Sequence, residues 1–116
     1  MRQLARIVAE THDDIPVARL EGEVDMTNAR SLGDRLRGLL TNRSVALIVD
    51  LGPTTYLDSS GIALLFGLSD ALGLRQQQLH LVVPERSPIG RVIRITGLDQ
   101  AVPTHPSLEQ ALERAR

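Results

Sequence analysis

An α/β domain built on a mixed β-sheet is what this sequence predicts, and three observations carry the prediction. Two strand-like stretches near the N-terminus are separated only by the turn-forming run Thr11-His12-Asp13-Asp14, which should fold them into an antiparallel hairpin. Beyond them, short apolar runs alternate with amphipathic stretches at helical spacing, the pattern of strands joined by right-handed helical crossovers. One of those runs, Val45-Ala46-Leu47-Ile48-Val49-Asp50, is continuously apolar up to its closing Asp50, as a strand buried on both faces of a sheet should be. The expected inventory is about four to five strands and about four helices.

Leu4 to Glu10 sets Leu4, Ile7 and Val8 among polar neighbours and reads as the first strand. Val17 to Val24 sets Ala18, Leu20, Gly22 and Val24 against Arg19, Glu21 and Glu23, a half-exposed strand that only Val17 breaks. Asp25 or Thr27 can cap the next helix. Its inner face is Ala29, Leu32, Leu36, Leu39 and Leu40, and its outer face is Arg30, Asp34, Arg35 and Arg37. Thr41-Asn42-Arg43 closes that helix and leads into the buried strand ending at Asp50. The loop Leu51-Gly52-Pro53-Thr54-Thr55 follows. A helix apolar nearly all round as far as Leu68 starts near Gly61 and should be the most buried, with Gly73 near its end. Leu79 to Val83 is a further buried strand stopped by Pro84. Ser87-Pro88 is a cap followed by proline at the first helical position, and Gly97 supplies the stop. Between them Ile89, Val92 and Ile93 should face inward. Ala101 to Thr104 reads as a short edge strand, and Ser107 caps a last helix with Leu108, Ala111, Leu112 and Ala115 on one side. No linker, repeat or low-complexity segment interrupts this order, so residues 1–116 are expected to form one domain.

Composition excludes several classes of function. With 42% hydrophobic and 23% charged residues the chain falls among globular proteins rather than disordered or fibrous ones. One Tyr, one Phe and no Trp leave an aliphatic core and no aromatic platform for stacking nucleic-acid bases. A net charge of -1 gives no general attraction to phosphate backbones or anionic membranes, so neither direct nucleic-acid binding nor a membrane partner is expected. Without cysteine there is no disulfide, thiol nucleophile or cysteine-based zinc site. The N-terminus lacks the apolar stretch of a signal peptide, and no apolar run approaches the roughly 18 residues of a membrane span, which makes a cytoplasmic protein the expectation.

The chemistry concentrates in Tyr56-Leu57-Asp58-Ser59-Ser60-Gly61, a polar cluster that passes directly into the apolar helix. Asp58 or Ser59 offers an N-cap oxygen, and two hydroxyls then sit at the positive end of a helix. A cap and nothing more is the plain reading of such residues. The wider pattern adds to it: Glu21-Gly22-Glu23-Val24-Asp25, the strand to Asp50, Leu57-Asp58-Ser59-Ser60-Gly61 and Gly97-Leu98 together resemble the bacterial anti-sigma factor antagonists, which are STAS-domain proteins. The resemblance runs from about Ala5 to Leu112, the expected core of the domain.

That resemblance implies a STAS-like fold and a protein that is not an enzyme. The unphosphorylated form would bind an anti-sigma factor and release a sigma factor. The anti-sigma factor would also be a serine kinase using ATP and Mg²⁺, its target would be Ser59, and a serine phosphatase would restore binding. The binding face would comprise Asp25, Thr27, Asp58, Ser59, Ser60 and Gly61 with residues of the following helix. Asp25 has two readings, a helix cap or a member of this face. The rival within the family is a scaffold of the stressosome type, or a regulatory partner of a lipid-transport ATPase, that does not act through sigma release.

Other chemistries find no motif. His12, His80 and His105 are expected in a turn, a strand and ahead of the last helix, with no nucleophile elbow to serve and no ligand spacing between any two. Asp13 and Asp14 read as solvated turn carboxylates. The glycine spacings of a phosphate-binding loop are absent, so neither a metal nor a cofactor is expected.

Overall fold

The computed structural model describes residues 3–116. β1 (Arg6–His12) and β2 (Ile15–Val24) form the antiparallel hairpin, in register from Arg6 opposite Glu21 to His12 opposite Ile15. Asp13 and Asp14 have φ of 53° and 67°, the paired left-handed conformations of a two-residue turn whose twist matches the strands it joins. A turn this tight leaves Thr11 and His12, expected within it, inside β1.

The chain then runs through α1 (Ala29–Arg37), β3 (Ala46–Asp50), β4 (Thr54–Leu57), α2 (Ser59–Leu74), β5 (Gln78–Val82), α3 (Gly90–Ile95), α4 (Leu98–Ala101), β6 (Thr104–His105) and α5 (Leu108–Ala115). The sheet has the order β1-β2-β3-β5-β6, with β4 paired to β2 beside this path. Every pairing except the hairpin is parallel, so the sheet is mixed as expected. The described residues hold six strands and five helices, and the elements beyond the expected ones are the short β4 and α4. Ala101, expected to start the edge strand, instead closes α4, and the strand begins at Thr104.

Side chains alternate across β3: Leu47 and Val49 join the larger core under α1 to α4, while Ala46 and Ile48 join a smaller one under α5. Both sets are fully buried, which explains the unbroken apolar run. Val45 is the exception, standing outside the strand and 57% exposed. The larger core takes Leu32 and Leu36 of α1, and Ile62, Leu65, Leu68 and Leu72 of α2. The smaller one takes Ala111, Leu112 and Ala115 of α5, where Ser107 Oγ accepts the Gln110 N–H as the expected cap. Gly97 is the stop read from the sequence, and at φ 76° it follows α3 in the left-handed conformation.

Gly22 is where the sheet forks. Upstream of it β2 pairs with β3, from Val17 to Arg19; from Gly22 onward it pairs with β4, with an irregularity between Gly22 and Glu23. Its φ is 121°, and a Cβ there would come within 2.8 Å of the Gln3 carbonyl oxygen. Only glycine fits that conformation and that approach of the N-terminal segment. Thr54, fully buried, pins the start of β4 by donating its hydroxyl to the Leu20 carbonyl at 2.7 Å.

Candidate functional site

β2 and β4 end side by side, with Val24 opposite Leu57, so the residues that follow, Asp25 and Asp58, leave the sheet as neighbours. The C-terminal edge of parallel strands is where open α/β sheets place their sites, because loops and helix N-termini converge there. The Asp58 N–H donates back to the Val24 carbonyl at 3.3 Å, tying the two strand ends together.

Asp58 is the N-cap of α2. Its Oδ1 accepts the N–H groups of Ser60 at 2.9 Å and Gly61 at 3.1 Å, which resolves the choice between Asp58 and Ser59. Ser59 becomes the first helical residue and is exposed, while Ser60 is half-buried at the groove between α1 and α2. Gly61 is buried, and a Cβ there would lie 2.4 Å from Leu57 Cδ1 and 3.1 Å from Val24 Cγ1. The missing side chain lets the first turn of α2 sit directly on the ends of β2 and β4.

Asp25 is 5% exposed and organises the turn ahead of α1. Its Oδ1 accepts both the N–H and the hydroxyl of Thr27, and its carbonyl accepts the Ala29 N–H at 2.9 Å. Asn28 completes the turn: its Oδ1 accepts the Asp25 N–H and its Nδ2 donates to the Glu23 carbonyl, each at 2.9 Å. The expected side-chain cap of α1 by Asp25 or Thr27 is not formed: Asn28 holds the N-cap position without a side-chain bond to the helix, and the Asp25 carboxylate closes the turn ahead of it, beside Asp58. Thr27 is exposed at the rim.

An open depression of about 440 Å³ lies over these turns, lined by Glu23, Asp25, Met26, Thr27, Tyr56 and Asp58. Its lining side chains include carboxylates and no base. Met26, 79% exposed, and Tyr56, 47% exposed, put apolar surface next to that charge. Sequence reading passed over both as site residues. A methionine in an otherwise polar turn was the available signal, since nothing in the turn needs it for folding. Exposed methionine and tyrosine are side chains enriched where proteins meet, so the patch offers contact surface.

The structure brings together all six expected residues: Asp25, Thr27, Asp58, Ser59, Ser60 and Gly61 adjoin one edge of the sheet. It also brings together His80 of β5 and His105 of β6, which lie 25 residues apart in sequence and share a 2.9 Å nitrogen contact. Among the described residues no group of three or more His, Cys, Asp or Glu side chains could hold a metal ion. No helix among them is long and apolar enough to cross a membrane.

Comparison with known proteins gives a consistent picture. The family model for the STAS domain matches residues 6–111. The anti-sigma-F factor antagonist RsfB of Mycobacterium tuberculosis is 27% identical over 110 residues, covering 95% of this chain and 88% of that protein. The anti-sigma-B factor antagonist of Staphylococcus epidermidis is 34% identical over 89 residues, 76% of this chain and 81% of its own. Among solved structures, an anti-sigma factor antagonist from Mycobacterium paratuberculosis superposes with a TM-score of 0.84 at 29% identity, over 97% of this chain and 94% of that one.

Proposed function

The chain belongs to the STAS domain family, and from that premise we propose that it is an anti-sigma factor antagonist switched by phosphorylation of Ser59. Proteins of this kind regulate by binding and are not enzymes. In this reading the domain, residues 1–116 with a core of about 5–112, works in the cytoplasm. Its unphosphorylated form binds an anti-sigma factor, which releases a sigma factor. The anti-sigma factor is itself the serine kinase, and a serine phosphatase reverses its work. Asp25, Thr27, Asp58, Ser59 and Ser60 face the partner, and Gly61 seats the helix that presents them.

One observation carries the reading: Ser59 is the exposed first residue of α2, immediately after a cap that already holds the first-turn donors. A phosphate there adds about -1.5 to -2 of charge at neutral pH. The Ser60 and Gly61 N–H groups, which could cradle a phosphate at a helix start, are occupied by Asp58. The new charge therefore projects outward beside Asp58, toward any partner seated on Met26 and Tyr56. It changes the surface without requiring the fold to change.

Incubation with the cognate anti-sigma kinase, ATP and Mg²⁺, followed by mass spectrometry of wild type, Ser59→Ala and Ser60→Ala, tests the assignment. A single phosphate lost only in Ser59→Ala is expected. Loss of the phosphate in a folded Ser60→Ala, with Ser59→Ala still modified, overturns it.

A further inference from the structure

The His80–His105 contact lies beneath α5, away from the Ser59 edge, and no part of the proposed function uses it. His80 is 3% exposed, and its ring, Val82 and His105 share the sheet face that α5 covers. The rings are 23° from parallel with centres 5.2 Å apart. That separation is the 2.9 Å between His80 Nδ1 and His105 Nε2 with a ring radius added at each end. The rings therefore meet end to end, not face to face. Their facing nitrogens point at each other along an N–H···N line and do not converge on a common point, as two ligands of one metal ion must.

The hydrogens on this line follow from its far end. The Gln78 amide faces His80 Nε2 at 3.1 Å, and with its oxygen on that side His80 carries its hydrogen on Nε2 and accepts at Nδ1. His105 Nε2 must then be the donor between the rings, which leaves His105 Nδ1 as the end of the chain. A first proton can enter there and keep every hydrogen bond. A second has only His80 Nδ1 to occupy, and there it removes the acceptor of the side-chain bond that supplements the backbone pairing of β5 and β6. Charged groups near the pair come from α5, where Glu113 and Arg114 line the same cleft; β3 contributes Ala46 and Ile48, and β5 contributes Gln78.

We propose that His80 and His105 form a proton-operated clasp that holds β6 and α5 against the sheet when neutral or singly protonated, and opens on the second proton. Burial, then His105 and Arg114 beside it, holds His80 below the ordinary imidazole value of 6.5; burial and Arg114 do the same for His105. With both groups depressed in the folded state, the unfolded chain binds more protons at mildly acidic pH. The stabilisation is therefore complete above pH 6.5 and is lost as pH falls through the folded-state values. The lever arm is short, since α5 follows β6 after two residues and its covering contacts are the few side chains of the smaller core.

Long-range ¹H–¹⁵N spectra of the histidine rings, recorded on the full chain from about pH 7.5 to about pH 4.5, test the clasp. We expect His80 to be the Nε2–H tautomer, His105 to titrate first, and the amide signals of Leu108 to Ala115 to move with the later His80 step while those of Ser59 to Ile62 stay in place. Arg114→Gln should move both steps to higher pH, and His80→Gln should abolish the late movement of α5. An Nδ1–H tautomer at His80 overturns the proposal, as does an α5 helix whose signals stay still while His80 titrates. Should His80→Gln fail to fold, the wild-type titration alone decides.

Discussion

Where β2 and β4 stop, polar side chains shape the backbone, and those left over face solvent. Asp25, Asn28 and Asp58 satisfy N–H groups of the turns and of α2, while Ser59 and Thr27 remain exposed. Under α5 the polar groups pair with one another instead, as buried His80 meets half-buried His105 and the exposed Gln78. The first arrangement can accept a large new charge because its own donors are already paired and the newcomer stays in water. The second cannot accept even two protons without losing its central bond. The two places differ less in residue type than in whether an added charge can stay hydrated.

Phosphorylation gives the sharpest break between them. Phosphate on Ser59 should weaken binding to the anti-sigma factor about a hundredfold or more, equivalent to about 2.7 kcal/mol, because the dianion loses water against the partner. Calorimetric titration reads the affinity, and a melt of the same sample should fall within a few degrees of the unmodified protein. A phosphorylated form that loses binding by unfolding would erase the contrast. Gly61→Ala should do the reverse, costing about 1–3 kcal/mol of stability by overpacking Leu57 and Val24 under α2, measured by denaturant unfolding. Asp58→Ala removes the cap and should cost about 1 kcal/mol in the same experiment, whereas Asp58→Asn should recover most of it while removing the negative charge adjacent to Ser59. Ser59→Ala should be nearly silent, within about 0.5 kcal/mol, and should still bind the partner. A large stability loss in Ser59→Ala would mean that its hydroxyl is structural after all.

How far the sequence could be read depends on how local each determinant is. Asp58, Ser107 and Gly97 were legible because a cap or a left-handed stop is decided by the next few residues. The hairpin was legible from its turn, although the positive φ of Asp13 and Asp14 that tightens it was not. β4 read as loop because Thr54-Thr55-Tyr56-Leu57 is short and follows Gly52-Pro53, and it pairs with β2, far back in the chain. α4, at four residues, is too short for a helical period to show. Val45 looked buried by company, yet the strand starts one residue later. At the site, Asp58, Ser59 and Ser60 were marked by the cap and the family pattern, and Asp25 by the pattern with a cap as its other reading. Met26 and Tyr56 became visible only as exposed surface around them. The histidine pair could not be found by spacing, since the β5–β6 pairing alone makes neighbours of residues so far apart.

The fork at Gly22 has a kinetic side. Below it β2 lies in a continuous sheet flanked by β1 and β3; above it the strand pairs with β4 on one side and bonds the Gln3–Ala5 segment on the other. The rim around Ser59 is thus a branch of the sheet, tied in by β2, the Gln3–Ala5 segment bonded to Glu23, the Thr54 hydroxyl bond and the first turn of α2. Such a branch can open and reclose as a separate cooperative unit while the central strands stay protected. A kinase that must draw Ser59 into its own active site would meet a segment able to yield locally, on a scaffold that does not have to unfold to let it.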